Sequence, residues 1–298
     1  MSPVADPVAS SGTARITPNG AGSGRVTPTK DLRPRRRLSS RQLAAISEQL
    51  SPRDHEALRV VGRFRVMSGA QLGELLWAEV SPNARARVAR RGLSRLVRLG
   101  VLEPLARRVG GERSGSASTT FAVGRAGQYL LKSGRRVRAA YTPGARYLSH
   151  TLAVAQLYVE LVAAQCQGSV ELMGFEPEPE CWRTYMVGFG ARQICKPDAF
   201  LKLAIGDYDF SWFCEQDMAT EALTTVKAKA LRYHDYFRTG TEQAARGVFP
   251  RVLWIVPDVN RAEAVSETLA QLPAEAHRLF AVTTTAKAMA LLTSEARS

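Results

Sequence analysis

The chain has 298 residues, 45% of them apolar, and a formal net charge of +14, which suits about two domains that each bury a core. No apolar run approaches the roughly 18 to 20 residues of a bilayer span, and the start MSPVADPVASSG lacks a basic stretch followed by an apolar one. The expectation is a cytoplasmic protein with no membrane partner. Cys166, Cys181, Cys195 and Cys214, and the four histidines, are dispersed without CxxC spacing, which argues against a zinc site or a disulfide framework and reads the cysteines as reduced packing residues.

The charge is unevenly spread. Residues 1–40 carry 7 basic and 2 acidic side chains, residues 41–148 carry 20 and 7, and residues 149–298 carry 14 and 18. Attraction to a polyanion follows local charge. A basic middle beside a mildly acidic second half therefore predicts two parts with different tasks.

Residues 1–40 are rich in Pro, Ser, Gly, Thr and Ala and end in RPRRR at 33–37. Such a segment buries too little apolar surface to offset its ordering entropy, so it reads as a disordered basic tail. Its arginines either add nonspecific phosphate contacts or solubilise the chain.

Residues 41–147 read as helices followed by a hairpin. SPRDHEALRVVGRFRVM offers Ser51 as cap, Pro52 at the first helical position, and Leu58, Val61 and Phe64 at helical spacing. SGAQLGELLWAEV is a second helix capped by Ser68, and SPNARARVARRGLSRLVRLG a third that ends at Gly100. On that third helix Ala86, Ala89, Leu93 and Leu96 fall on one face and Arg87, Arg91, Arg95 and Arg98 on the other. Arg85, Arg87, Arg90, Arg91, Arg95 and Arg98 stand among no acidic residue, although like charges one turn apart repel. A polyanion is the expected source of the missing negative charge. VLEPLARRV and TTFAV, joined by a Gly/Ser loop with Arg113, predict a hairpin, and GRAGQYLLKSG a closing helix. Three helices, a hairpin and a helix resemble the winged helix-turn-helix domains of bacterial regulators, which implies double-stranded DNA as partner, the alternative being a winged helix used only for protein contacts.

Residues 148–298 read as an α/β sandwich with a mixed sheet: a helix from about 148 to 165, a strand in SVELMGFEPE, a hairpin from AFLKLAI and YDFSWFCEQD around Gly206-Asp207, and a helix in EALTTVKAKALRYHDYFRTG. RVLWIVPDV and RLFAVTT are further strands, RAEAVSETLAQLPAE and AKAMALLTSEA further helices. Asp198 falls where one hairpin strand begins and Glu215 where its partner ends; strand alternation turns Glu215 and Asp217 to one face. Carboxylates gathered at strand ends suit Mg²⁺ or Mn²⁺, which share coordination with substrate phosphate. A lysine on the next helix, Lys227 or Lys229, would add positive charge, and Tyr233 shares the face of Lys229. Each has a plainer reading: Asp217 as a helix cap, the lysines as solvated charges, Tyr233 as core, His150 as structural, Glu176 as part of an extended edge.

Pro197-Asp198, then Glu-x-Asp, with a lysine nearby, resembles the PD-(D/E)xK restriction-endonuclease-like superfamily, with Gln216-Asp217 where many members have a strand lysine and Lys229 as the helix-borne substitute. A winged helix followed by His150, Asp198, Glu215, Asp217, Thr220, Lys229 and Tyr233 is similar to the replication-relaxation family of actinobacterial plasmids and integrative elements, and distantly to mobilisation relaxases. The resemblance implies a metal-dependent DNA-nicking enzyme acting at an origin-like site: Asp198, Glu215 and Asp217 on the metal, Lys229 stabilising the phosphorane, and a water or Tyr233 attacking. It equally admits a noncatalytic initiator, relaxosome accessory or transcription regulator with a degenerate nuclease fold, a homodimer, and partners among replication or transfer proteins.

Overall fold

The structure, a computed structural model, describes residues 38–105, 119–131 and 144–294. The expected tail, as far as residue 37, the tip of the expected hairpin and Arg113 lie outside them.

Helix α1 (Ser40–Ser47), helix α2 (Pro52–Phe64) and, after the short strand β1 (Val66–Ser68), helix α3 (Gly69–Leu76) begin in the same way. Ser39, Ser51 and Ser68 each accept a bond from the backbone N–H three residues on, and the side chains of Gln42, Asp54 and Gln71 accept one from the N–H of the cap. These reciprocal bonds satisfy two orphan donors at each start. Helix α4 (Pro82–Arg98) buries Ala89, Leu93 and Leu96, and Gly100 follows it at φ 68°, where glycine carries no Cβ penalty. Strands β2 (Leu102–Pro104) and β3 (Thr120–Val123) pair antiparallel, β1 joins β3 on its other edge, and α5 (Arg125–Leu131) follows.

The second half opens with α6 (Ala145–Cys166) and β4 (Glu171–Pro177). A separate ribbon, β5 (Arg183–Val187) and β6 (Ala191–Cys195), precedes the long hairpin of β7 (Ala199–Ile205) and β8 (Tyr208–Gln216), which turns at Gly206 with φ 55°. Then come α7 (Leu223–Arg238), α8 (Thr241–Arg246), β9 (Arg251–Val256), α9 (Val259–Ala270), α10 (Ala274–His277), β10 (Phe280–Thr284) and α11 (Thr285–Thr293). The main sheet runs β10-β9-β8-β7-β4, with β8, β9 and β10 parallel and the other pairs antiparallel. The fold is thus α+β with a mixed sheet.

Alternation along each strand divides the core. Leu201, Leu203, Cys214, Leu253 and Ile255 join the apolar cluster of α6 and α11, whereas Phe200, Phe213, Val252, Trp254 and Val256 join that of α7 and α9. Both crossovers, β8 to β9 and β9 to β10, advance in one direction across the sheet, so their right-handed course puts α7 and α9 on the same face. Glu215 lies next to Phe213's neighbour Cys214 in sequence and faces α7 with Phe213.

The boundary expected at 147/148 falls within the first turn of α6, shortly after residues 132–143, which lie outside the described ones, and the core is continuous across it. Phe64, Tyr158 and Phe175 form an aromatic trio, with centroids 5.1 to 5.6 Å apart. Gln71 Nε2 donates to Leu152 O at 2.7 Å, and Arg63 donates to Glu180 at 2.9 and 3.0 Å. Helix α6 is consequently buried on two sides, which is why its apolar residues do not form a single stripe.

Candidate functional site

Asp198 directly precedes β7 and Glu215 is the penultimate residue of β8. The register pairs Ala199 with Cys214, so the two carboxylates fall opposite one another at the next position. Asp198 is fixed from three sides: its N–H donates to Cys214 O at 3.0 Å, its Oδ2 accepts from Gln216 N–H at 2.7 Å, and its Oδ1 lies 3.2 Å from His150 Nε2. His150 Nδ1 is 3.1 Å from Gln216 O. Both neighbours of the ring accept only, so the imidazolium, donating from each nitrogen, is the form that satisfies them. Burial works against that charge, but Asp198 outweighs it and holds the His150 pKa above its ordinary value.

Glu215 is 2% exposed. Lys229 Nζ donates to its Oε2 at 3.0 Å and Tyr233 OH to its Oε1 at 2.5 Å. Burial, followed by the negative charge of Asp198, pushes the Glu215 carboxyl up to about 7, against the lowering effect of Lys229 and Tyr233. Burial disfavours the Lys229 ammonium, yet Glu215, Asp198 and Glu221 hold its pKa above the ordinary value; Glu221 Oε2 is 3.1 Å from Nζ. The Tyr233 hydroxyl, buried and beside Glu215, has its pKa raised well above that of a free phenol. The structure therefore brings Asp198, Glu215, Lys229 and Tyr233 together, and turns the Tyr233 oxygen inward.

Asp217 shares the α7 and α9 face with Glu215, as alternation requires, but its partners differ. Arg261 of α9 donates to Oδ2 from Nε at 3.0 Å and from Nη2 at 2.7 Å, and Ala219 N–H donates to Oδ1 at 2.5 Å. Arg261 also reaches Glu221 O at 2.8 Å, and Arg146 Nε donates to Thr220 Oγ1 at 2.8 Å. Asp217 and Thr220 thus pin the loop between β8 and α7, in which Ala219 holds φ 53°. No local sequence pattern points to Arg261 and Arg146, which lie 44 and 74 positions from their partners. Lys227 points elsewhere, to Gln271 Oε1 at 3.2 Å, and Glu176 pairs with Arg183 at 2.8 Å. Cys181, Cys195 and Cys214 are buried, and burial raises each thiol's pKa. Among the described residues no group of three or more His, Cys, Asp or Glu side chains is arranged to hold a metal.

The arginines of α4 divide into two sets. Arg85 donates to Trp77 O and Ala78 O at 3.1 and 3.0 Å, which satisfies carbonyls at the end of α3. Arg95 donates to Gln49 O at 3.0 Å and pairs with the buried Asp54. These two serve the fold. Arg87, Arg90, Arg91 and Arg98 are exposed and carry no hydrogen bond or ion pair among the described residues.

No helix among the described residues is long and apolar enough to cross a membrane. No curated protein and no solved structure matches the chain. The model of one family, described as replication-relaxation, matches residues 58–252, a span that contains the arginine face of α4, His150, Asp198, Glu215 and Lys229. The chain belongs to the replication-relaxation family, and with it takes a role in plasmid replication or DNA relaxation.

Proposed function

We propose that the chain binds duplex DNA through the exposed face of α4, in a winged-helix arrangement, and nicks it with a divalent cation at Asp198 and Glu215. The observation that carries this reading is the pair of carboxylates at adjoining strand ends with Lys229 Nζ 3.0 Å from Glu215. Each of the four carboxylate oxygens faces one protein partner and keeps a further lone-pair site. That donor set fits Mg²⁺ or Mn²⁺, which take one or two carboxylates and complete their shells with water and substrate phosphate. Asp198 and Glu215 would hold the ion, which when bound polarises a phosphoryl oxygen and acidifies water.

The remaining roles belong to the chain itself. Lys229 supplies positive charge where the attacked phosphorus gathers negative charge. Gln216 N–H and His150 orient Asp198, and Tyr233 orients Glu215. Since the Tyr233 oxygen is committed to Glu215, water is the favoured nucleophile; Asp217, clamped by Arg261, positions the loop instead of joining the metal set. Arg87, Arg90, Arg91 and Arg98 neutralise phosphates, with the basic tail and Arg113 as further candidates.

A second reading, a noncatalytic initiator or regulator, has its own support: both oxygens of Glu215 and both of Asp217 already have protein partners. Mn²⁺-dependent nicking of supercoiled plasmid by wild type and Glu215→Ala separates the two, with products run before and after protease. Nicking confined to wild type supports the phosphodiesterase, and protein-linked ends would restore Tyr233 as nucleophile. Intact plasmid in both lanes, with DNA still bound, supports the regulator.

A further inference from the structure

Residues 181–197, CWRTYMVGFGARQICKP, hold three basic side chains and no acidic one. They leave the main sheet after β4 and rejoin it at Asp198. Between lies the ribbon of β5 and β6, a two-stranded sheet paired only with itself among the described residues. A hairpin of this size is marginal alone. Tyr185 and Cys195 anchor it, both buried with α7 residues in the core.

The outward face does no such work. Thr184 pairs with Ile194 and Met186 with Arg192 across the ribbon. All four are exposed, Met186 at 55%, and among the described residues Arg192 reaches only Thr184 Oγ1, at 3.4 Å. At the foot of the ribbon the exposed Lys196 lies 4.6 Å from the centre of the Trp182 ring, two residues before Asp198. Arg232 and Arg238 line a groove of about 790 Å³ between the ribbon and α7, in which Asp235 is the single acid.

We propose that this ribbon is a second contact for duplex DNA, one that seats the phosphate backbone beside Asp198 and Glu215. The inference rests on the DNA-nicking reading above and extends it. The major groove of B-DNA admits a two-stranded β-ribbon, and Met186 and Ile194 offer apolar contact there while Arg192 and Lys196 meet phosphates. Charge selects the occupant: a second copy of the chain would bring two acid-free, basic ribbons together, whereas a polyanion complements them. Because β6 leads directly into Pro197-Asp198, DNA held on the ribbon lies next to the carboxylates.

The test is the affinity of the full chain for a labelled 30-base-pair duplex, without divalent cation, across a salt series. Arg192→Gln with Lys196→Gln should make the slope of log affinity against log salt shallower by about 2, at roughly 0.9 per phosphate contact, with an unchanged melting temperature. An unchanged slope and affinity overturns the proposal. A photocrosslinking residue at Met186 gives an independent reading: attachment to the duplex supports the ribbon, while attachment to another copy of the chain, or to nothing while DNA is bound, overturns it. Nicking plays no part in either readout. A shallower slope in a protein that never nicks keeps the ribbon and discards the phosphodiesterase; a wild type that binds no duplex discards both.

Discussion

The arginine face of α4 and the carboxylate pair at the ends of β7 and β8 treat charge in opposite ways. On α4, four guanidinium groups stand exposed without partners among the described residues, although their mutual repulsion costs stability. At Asp198 and Glu215, charge is buried and compensated by His150 and Lys229. The contrast shows what each region needs from outside. On the proposed reading, the α4 face binds by adding an anion, with affinity governed by salt. The carboxylate site is already compensated internally, so on the same reading a cation and a phosphate would compete with Lys229 and His150.

The largest expected effect tests the compensated region. Arg261→Ala leaves the buried Asp217 without its guanidinium, and breaking such a pair costs about 3–5 kcal/mol; denaturant unfolding measures it, and a loss below about 1 kcal/mol would show that the clamp is slack. Next is pH. The folded-state pKa of Glu215 is raised from 4.5 to about 7, so the fold holds that proton more tightly than the unfolded chain does. Its stabilisation is present at the acidic end of that window and declines as pH rises through it, by on the order of 3 kcal/mol. His150 is raised as well and shifts stability in the same direction. Thermal unfolding in a chelator should show the decline, and Glu215→Gln should flatten it.

The uncompensated region gives smaller effects of another kind. Arg87→Gln with Arg91→Gln should reduce the salt slope of DNA binding by about 2 without changing the melting temperature. Arg95→Gln should do the reverse, costing about 1–3 kcal/mol of stability through the loss of its bonds to Gln49 and Asp54. Equal slopes in the two variants would erase the distinction between the sets. Smallest is Ala219→Gly: relief of a left-handed alanine, worth about 1–2 kcal/mol, is partly offset by the flexibility of glycine, leaving a gain of up to about 1 kcal/mol in unfolding free energy.

What the sequence disclosed follows from the range over which each signal acts. The capped helices and the hairpin of β7 and β8 are local patterns, and they place Asp198 opposite Glu215 and Lys229 near Glu215. Arg261 and Arg146 act over sequence distances no periodicity covers. Arg85 and Arg95 read as surface charge on a helical wheel, but their long side chains reach back to carbonyls just past α3 and to Gln49. The ribbon of β5 and β6 leaves no clear sequence signal because its outward face mixes Thr184, Met186, Arg192 and Ile194, which hides the alternation a half-buried strand normally shows.

The most direct test of the account is single-turnover cleavage of prebound duplex DNA in Mn²⁺, comparing wild type with Glu215→Gln at equal occupancy. Wild type should cleave, and the variant at a rate lower by about 100-fold or more, the scale of losing an electrostatic group at the reacting centre. Equal rates, or bound DNA that neither protein cuts, would contradict it.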